Sequence, residues 1–288
     1  MIPAQFEYRA PTTIDEALTL LAANPDDAKI LAGGHSLIPA MKLRLAQPAM
    51  LVDIGRIKDL SYIREDGNQI LIGAMTTHYQ LESSTLLKKI CPLLPECASH
   101  IGDVQVRNKG TLGGSVAHSD PAGDWPAAIL ALGAEMVAVG KKGERAIKAV
   151  DFFVDLLTTA LEGGEILREI RVTKPAGRFG HAYQKIRHPA SGFAVVGVAV
   201  ALRLGSDVTC ESATIGITGV ASKAYRAASV EQALQGKELN DENIAEAALH
   251  AADGVDSNSD LYASEEYRRH LAGVYTRRAI HEAADRAR

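Results

Sequence analysis

One short stretch of the chain constrains its fold more than any other. Lys29-Ile30-Leu31-Ala32 suits a buried strand, and it runs directly into Gly33-Gly34-His35-Ser36 and then Leu37-Ile38-Pro39, which is typical of a helix start. Glycine permits positive φ and removes the side chain that would hold a ligand away from the backbone. The free amides of a tight turn before a helix are donors for an anion. The stretch therefore predicts an anion-binding turn between a strand and a helix.

A second glycine pair with a nearby serine occurs in Gly110-Thr111-Leu112-Gly113-Gly114-Ser115. Because glycines inside a strand pattern usually mark a bulge or a close approach by another group, we expect Gly113 and Gly114 at a strand edge. Two such pairs, each ending in serine, would clasp a pyrophosphate from two sides. Neither pair is G-x-G-x-x-G or G-x-x-x-x-G-K-[ST], so the standard dinucleotide fingerprint and the P-loop are both absent.

Composition excludes several functional classes. The 288 residues carry a net charge of -4 with dispersed Lys and Arg, which argues against nucleic-acid binding. Three cysteines without CxxC spacing argue against disulfides, a zinc site or an iron–sulfur cluster held by this chain alone. We expect buried free thiols. The absence of a signal-like N-terminus and of a long apolar run predicts a cytoplasmic protein.

The order of predicted elements indicates an α+β fold in three parts. A β-α-β start suggests a small first lobe over residues 1–57. Short strands and helices follow in a second lobe over residues 58–177, which ends at a Pro/Gly boundary around Pro175 and Gly177. Three strand-like runs at 181–186, 194–204 and 210–218 predict a small antiparallel sheet, and two helices near 240–253 and 267–284 complete a C-terminal domain over 178–288.

Asp124 is the strongest polar candidate in the loop that follows the second glycine pair. An aspartate there can accept hydrogen bonds from a ribityl chain or a ribose without a perturbed pKa. An equally good interpretation is the N-cap of the helix that begins at Trp125. His118, Asp120 and Asp124 form only a weak metal-like cluster and suit a solvated or hydroxyl-binding loop better.

Taken in order, three motifs resemble a known family. They are Ala32-Gly33-Gly34-His35-Ser36-Leu37, then Gln105-Val106-Arg107-Asn108 with Gly110-Thr111-Leu112-Gly113-Gly114-Ser115, then Asp120-Pro121 with Asp124. The combination is similar to the FAD-binding medium subunit of the molybdenum hydroxylases, which include aerobic carbon monoxide dehydrogenase and xanthine dehydrogenase. The similarity spans the chain. It implies a two-lobed FAD-binding domain of the vanillyl-alcohol-oxidase (PCMH) type, followed by an α+β domain.

The resemblance also implies which residues hold the cofactor. Residues 29–37 and 111–115 would bind the pyrophosphate with its ribityl and ribose neighbours, Asp124 would hydrogen-bond the cofactor, and Leu167 would approach the flavin ring. Carbon monoxide dehydrogenase-like members typically have tyrosine near the ring where this chain has Phe193, which keeps the aromatic face without the hydroxyl. The implied cofactor-binding set is Lys29, Ile30, Leu31, Ala32, Gly33, Gly34, His35, Ser36, Leu37, Ile101, Gly102, Thr111, Gly114, Ser115, Ala117, Asp124, Leu167 and Phe193.

For the function, the resemblance implies an FAD-carrying subunit that accepts electrons from iron–sulfur clusters and passes them to an external acceptor. Molybdopterin and the clusters would lie on separate large and small subunits, in a dimer of heterotrimers. Two alternatives remain open. One is a stand-alone FAD oxidoreductase of the same fold, such as a UDP-N-acetylenolpyruvoylglucosamine reductase, and the other is an interaction subunit that has lost FAD.

Overall fold

The computed structural model describes residues 1–288 and begins with a three-stranded parallel sheet, here called the N-terminal sheet. Its strands lie in the order β1-β3-β2, with β3 paired in parallel to both neighbours. Leu18, Val52 and Leu60 contribute to the small core of this part. The elements are β1 (Glu7–Arg9), α1 (Ile14–Ala23), β2 (Ala28–Leu31), α2 (Leu37–Lys42) and β3 (Met50–Asp53).

A five-stranded antiparallel sheet, the central sheet, follows with the order β4-β5-β10-β6-β7. Trp125 and Phe152 are fully buried in the large core beside it. The sheet comprises β4 (Ile63–Asp66), β5 (Gln69–Gly73), β6 (Glu135–Gly140), β7 (Gly143–Lys148) and β10 (Ile166–Thr173). Its helices are α3 (His78–Ser83), α4 (Thr85–Ile90), α5 (Leu93–Ser99), α6 (Val104–Lys109), α7 (Leu112–His118), α8 (Trp125–Ala131) and α9 (Ala149–Phe152). A separate pair of strands is β8 (Phe153–Asp155) and β9 (Thr158–Thr159).

The C-terminal sheet is antiparallel in the order β11-β12-β13-β14. The long β12 is buried along almost its whole length because both of its faces are covered. On one face α12 packs with Ala279, Ile280 and Ala283, and on the other face Ala199 and Ala201 join the large core. The elements are β11 (Arg178–Arg187), β12 (Ala194–Leu204), β13 (Cys210–Thr218), β14 (Tyr225–Arg226), α10 (Ala228–Leu234), α11 (Asp241–Ala248) and α12 (Glu265–Ala287).

The expected α+β architecture with a C-terminal antiparallel sheet is confirmed, and two details of it differ. The sheet has a fourth, two-residue strand, and a third helix, α10, precedes the two that were expected. Cys91, Cys97 and Cys210 are buried free thiols, as their number and spacing predicted. None of the helices combines the length and the apolar composition that a membrane crossing requires.

Candidate FAD-binding site

A cavity of about 710 Å³ lies where the three parts of the chain meet. Its walls come from the turn after β2, from the loops and helices beside the central sheet, and from the loop that joins β11 to β12. Every residue of the implied cofactor-binding set lines this cavity except Leu31. The side chain of Leu31 instead lies next to Gly34, where it supports the turn from behind.

The first glycine turn offers an unusual concentration of unused hydrogen-bond donors. None of the backbone amides of residues 33–37 donates a hydrogen bond to another backbone group of the chain. All five residues line the cavity, and α2 begins at the last of them. Unpaired amides at a helix start carry partial positive charge and bind anions. The turn can therefore hold a phosphate group through its backbone alone.

Gly34 gives this turn its shape, because its φ is +77°. In that region an L-residue brings its Cβ close to neighbouring backbone, and β-branched residues are strongly disfavoured. A Cβ at this position would also lie 3.1 Å from Ile38 Cγ1. The turn thus depends on glycine at position 34, as its place between strand and helix predicts.

Replacing Gly34 by valine should lower the affinity for FAD by about tenfold or more, because the turn must abandon its positive φ at a cost of roughly 1–2 kcal/mol. Gly67→Val is the matched control, since Gly67 also has a positive φ of +54° but lies in the β4–β5 turn, away from the cavity. Equilibrium titration with FAD measures both. Unchanged affinity in a folded Gly34→Val protein would mean that the pyrophosphate lies elsewhere.

The two glycine segments touch each other directly at Gly33. A Cβ added there would lie 2.5 Å from the carbonyl oxygen of Lys109 and 2.8 Å from the Cα of Gly110. Real Cβ atoms do not approach backbone so closely, so position 33 requires glycine for packing. This contact brings together residues about 75 positions apart in the sequence, and both Gly33 and Gly110 line the cavity.

The second glycine pair differs from the expectation in its secondary structure. Gly113 and Gly114 lie in the first turn of α7, not at a strand edge. Their amides already have acceptors, since Gly113 donates to the Ala74 carbonyl at 2.8 Å and Gly114 to Thr111 Oγ1 at 3.1 Å. The strand prediction was wrong because Thr111 caps the helix and small residues let α7 pack against Ala74. The backbone amides that are free to donate to an anion are therefore those of the first glycine turn, residues 33–37.

A buried ion pair supports the cavity wall toward the C-terminal sheet, where Asp124 lines the cavity and Lys185 does not. Lys185 Nζ lies 2.7 Å from Asp124 Oδ1, and it also donates to the His100 carbonyl at 3.1 Å. The Tyr183 hydroxyl donates to the same Asp124 oxygen at 2.6 Å. Burial raises the pKa of Asp124, and the Lys185 ammonium opposes that rise. Asp124 occupies the N-cap position of α8, as the second interpretation predicted, but its side chain makes no capping hydrogen bond there.

The remaining predicted residues cover a more apolar end of the cavity. Arg107 donates to the Ile101 carbonyl at 3.0 Å and pairs with Glu82 at 2.7 Å, which holds the Ile101–Gly102 corner in place. Leu167 is buried beside a register shift in β10, and Phe193 is 45% exposed in the loop after β11. These side chains suit contact with a flat, largely apolar ring.

Several lining residues were not predicted from the sequence. The largest group is the turn that precedes β10, with Leu161, Glu162, Gly163, Gly164 and Glu165. Arg145 holds this turn through its ion pair with Glu165 at 2.7 Å. Its Gly163-Gly164 pair was the one available signal, since glycine pairs marked the other walls. His78, a buried residue at the start of α3, gave no such signal. The other lining residues outside the predicted set include Met75, Val106, His118, Asp120, Gly123, Ile166, Ser191 and Gly192.

Comparison with known proteins is consistent with this geometry. Residues 4–175 match the model of the FAD binding domain in molybdopterin dehydrogenase, and residues 181–283 match the CO dehydrogenase flavoprotein C-terminal domain. The chain is 42% identical to the carbon monoxide dehydrogenase medium chain of Hydrogenophaga pseudoflava, over 98% of both chains. It is 36% identical to the glyceraldehyde dehydrogenase medium chain of Sulfolobus acidocaldarius, over 99% of this chain and 100% of the relative.

A solved structure extends the comparison to three dimensions. The structure of carbon monoxide dehydrogenase from Hydrogenophaga pseudoflava that lacks the Mo-pyranopterin moiety of its cofactor contains a chain with a TM-score of 0.97 and 43% identity, with 99% of each chain covered.

Proposed function

Because the chain belongs to the family of FAD-binding medium subunits of the molybdenum hydroxylases, we propose that it binds FAD in the cavity described above and serves as the electron-transfer subunit of such a complex. It would accept electrons from iron–sulfur clusters of one partner and pass them to an external acceptor. The observation that carries the proposal is the row of unused amides at residues 33–37, which faces a cavity of suitable chemistry.

The donor set fits a dinucleotide cofactor. A pyrophosphate requires several hydrogen-bond donors and close backbone approach, and the first turn provides both. Thr111 and Ser115 also line the cavity, and their hydroxyl groups would be partners for ribose or ribityl oxygens. We assign the pyrophosphate to the turn at 33–37, the sugar portions to residues 111–117 and Asp124, and the ring to the apolar end.

In this assignment the protein binds and orients, whereas bound FAD would supply the electron-accepting and electron-donating chemistry. Ile101 and Leu167 would exclude water from the ring, and Phe193 would shield its exposed side. The Asp124–Lys185 pair would hold a charged, hydrogen-bonding wall in a fixed place, since both groups are anchored before any ligand arrives. Lys29, at the rim, would add a positive charge near the phosphates.

The similar medium chains belong to multi-subunit enzymes, so large and small partner subunits follow for this chain as well. We further propose that the large subunit holds molybdopterin and the small one the iron–sulfur clusters, that the complex is a dimer of heterotrimers, and that it works in the cytoplasm. Within the chain, residues 1–57, 58–177 and 178–288 would be the two lobes of the FAD domain and the C-terminal domain.

Isolation of the native complex from its source organism tests the subunit assignment. We expect this chain to copurify with two other polypeptides, with molybdenum, iron and FAD in the preparation. Addition of a substrate of the large subunit should reduce the flavin in the intact complex and leave it oxidised in the isolated chain. Turnover of a substrate by the isolated FAD-loaded chain would instead favour a stand-alone oxidoreductase.

A further inference from the structure

A buried histidine lies on the cavity wall beside the junction of the two glycine segments. His78 is the first residue of α3 and is 4% exposed, yet it lines the cavity. Its backbone amide donates to the Gly110 carbonyl at 3.0 Å, and a Cβ on Gly110 would lie 2.8 Å from His78 Nε2. The imidazole therefore packs directly against Gly110, the residue that also contacts Gly33.

The hydrogen bond from Trp125 determines where the imidazole carries its proton. Trp125 Nε1 donates to His78 Nδ1 at 3.0 Å, and both rings are buried. An indole nitrogen can only donate, so Nδ1 is the acceptor and the proton of the neutral ring is on Nε2. Burial, followed by the charges of His35 and Arg107, lowers the pKa of His78 to about 4, which keeps the ring neutral at physiological pH.

The Nε2–H group is thus a donor fixed in direction with no acceptor inside the protein. Nδ1 accepts the hydrogen bond from Trp125. Nε2 has no hydrogen-bond partner in the chain, and it does not belong to the polar atoms that are fully buried without a partner. A neutral donor can approach a phosphate or hydroxyl oxygen without the desolvation cost that a buried cation would carry. The nearby amides of residues 33–37 place such oxygens within the same part of the cavity.

We propose that His78 is a cofactor-binding residue whose Nε2–H donates a hydrogen bond to an oxygen in the pyrophosphate–ribityl portion of FAD, in the single tautomer that Trp125 imposes. This inference rests on the proposed function, because it requires FAD in the cavity. It gives the Trp125–His78 pair a role beyond packing, in which a core residue sets the direction of a ligand donor.

Two substitutions separate the ligand role from the structural one. In His78→Asn, the amide can accept from Trp125 in the place of Nδ1 but does not reach the position of Nε2. In His78→Gln, the longer side chain can donate from near the Nε2 position, but the acceptor for Trp125 is lost. We expect His78→Asn to bind FAD about tenfold more weakly with nearly unchanged thermal stability of the apoprotein, in line with one lost hydrogen bond.

His78→Gln should show the opposite pattern, with FAD affinity within about threefold of the wild type and a lower melting temperature of the apoprotein, because the buried Trp125 N–H has no acceptor. Wild-type affinity in His78→Asn, or equal loss of affinity in both variants, would overturn the proposal while leaving FAD binding intact. Failure of the wild-type protein itself to bind FAD would instead remove the proposed function and this inference together.

Discussion

Replacing Gly33 by alanine should reduce the affinity for FAD by roughly 10- to 100-fold, the equivalent of about 1–3 kcal/mol of overpacking at a tight contact. The added methyl group would meet the Lys109 carbonyl oxygen at 2.5 Å, and backbone cannot move away as a flexible side chain can. The two glycine segments must then separate, which displaces the amides of residues 33–37 relative to the segment that begins at Gly110. Isothermal titration of the apoprotein with FAD measures the loss.

Gly163→Ala provides a matched control within the same cavity. Gly163 also lines the cavity, but a Cβ there would have no atom within 4 Å, so alanine should fit without displacing its neighbours. We expect its FAD affinity to stay within about twofold of the wild type, since no contact is strained. Equal behaviour of the two variants would show that contact between the glycine segments does not shape the site.

Asp124→Ala should cost about 3–5 kcal/mol in the free energy of unfolding, because it leaves the Lys185 ammonium buried without its carboxylate partner. The Lys185 side chain has no exposed surface, so its ammonium depends on Asp124 and the His100 carbonyl for its partners. The Tyr183 hydroxyl loses its acceptor in the same substitution. Urea unfolding of the apoprotein measures this effect independently of FAD.

The double variant Asp124→Ala with Lys185→Met tests whether the lost stability comes from the unpaired Lys185 ammonium or only from the space that the carboxylate leaves. If the uncompensated ammonium is responsible, removing it as well should recover part of the lost stability. Greater instability in the double variant than in Asp124→Ala would show that the charge is not the cause. Asp120→Ala, in the same loop, is expected to cost only about 1 kcal/mol, since Asp120 caps a local turn through Ala122.

Features that depend on residues adjacent in the sequence were predicted correctly, whereas features that depend on contacts between distant residues were not. The turn at Gly33 and Gly34 was predictable because strand, glycines and helix start are adjacent in the sequence, and local backbone rules apply to them. The same rules failed for Gly113 and Gly114. Two glycines near an apolar run suit a bulge or a tightly packed helix, and the deciding contact, with Ala74, is about 40 residues away.

Long-range partners lay beyond local patterns altogether. Asp124 was singled out as a hydrogen-bonding carboxylate, but its pairing with Lys185 depends on how β11 lies against the start of α8. His78 remained unnoticed because an isolated histidine at a helix start carries no pattern, and only the fold places Trp125 beside it. The family resemblance identified residues that local rules could not. It implied Leu167 and Phe193 as cofactor-binding residues, and both line the cavity.

Flavin content of the purified chain tests the central claim most directly. Apoprotein incubated with FAD and freed of excess cofactor should show flavin absorbance bands that correspond to one FAD per chain, and Gly33→Ala treated identically should show much less. A folded wild-type protein without flavin bands after this treatment would contradict the account, because the amides of residues 33–37 would then have no dinucleotide to hold.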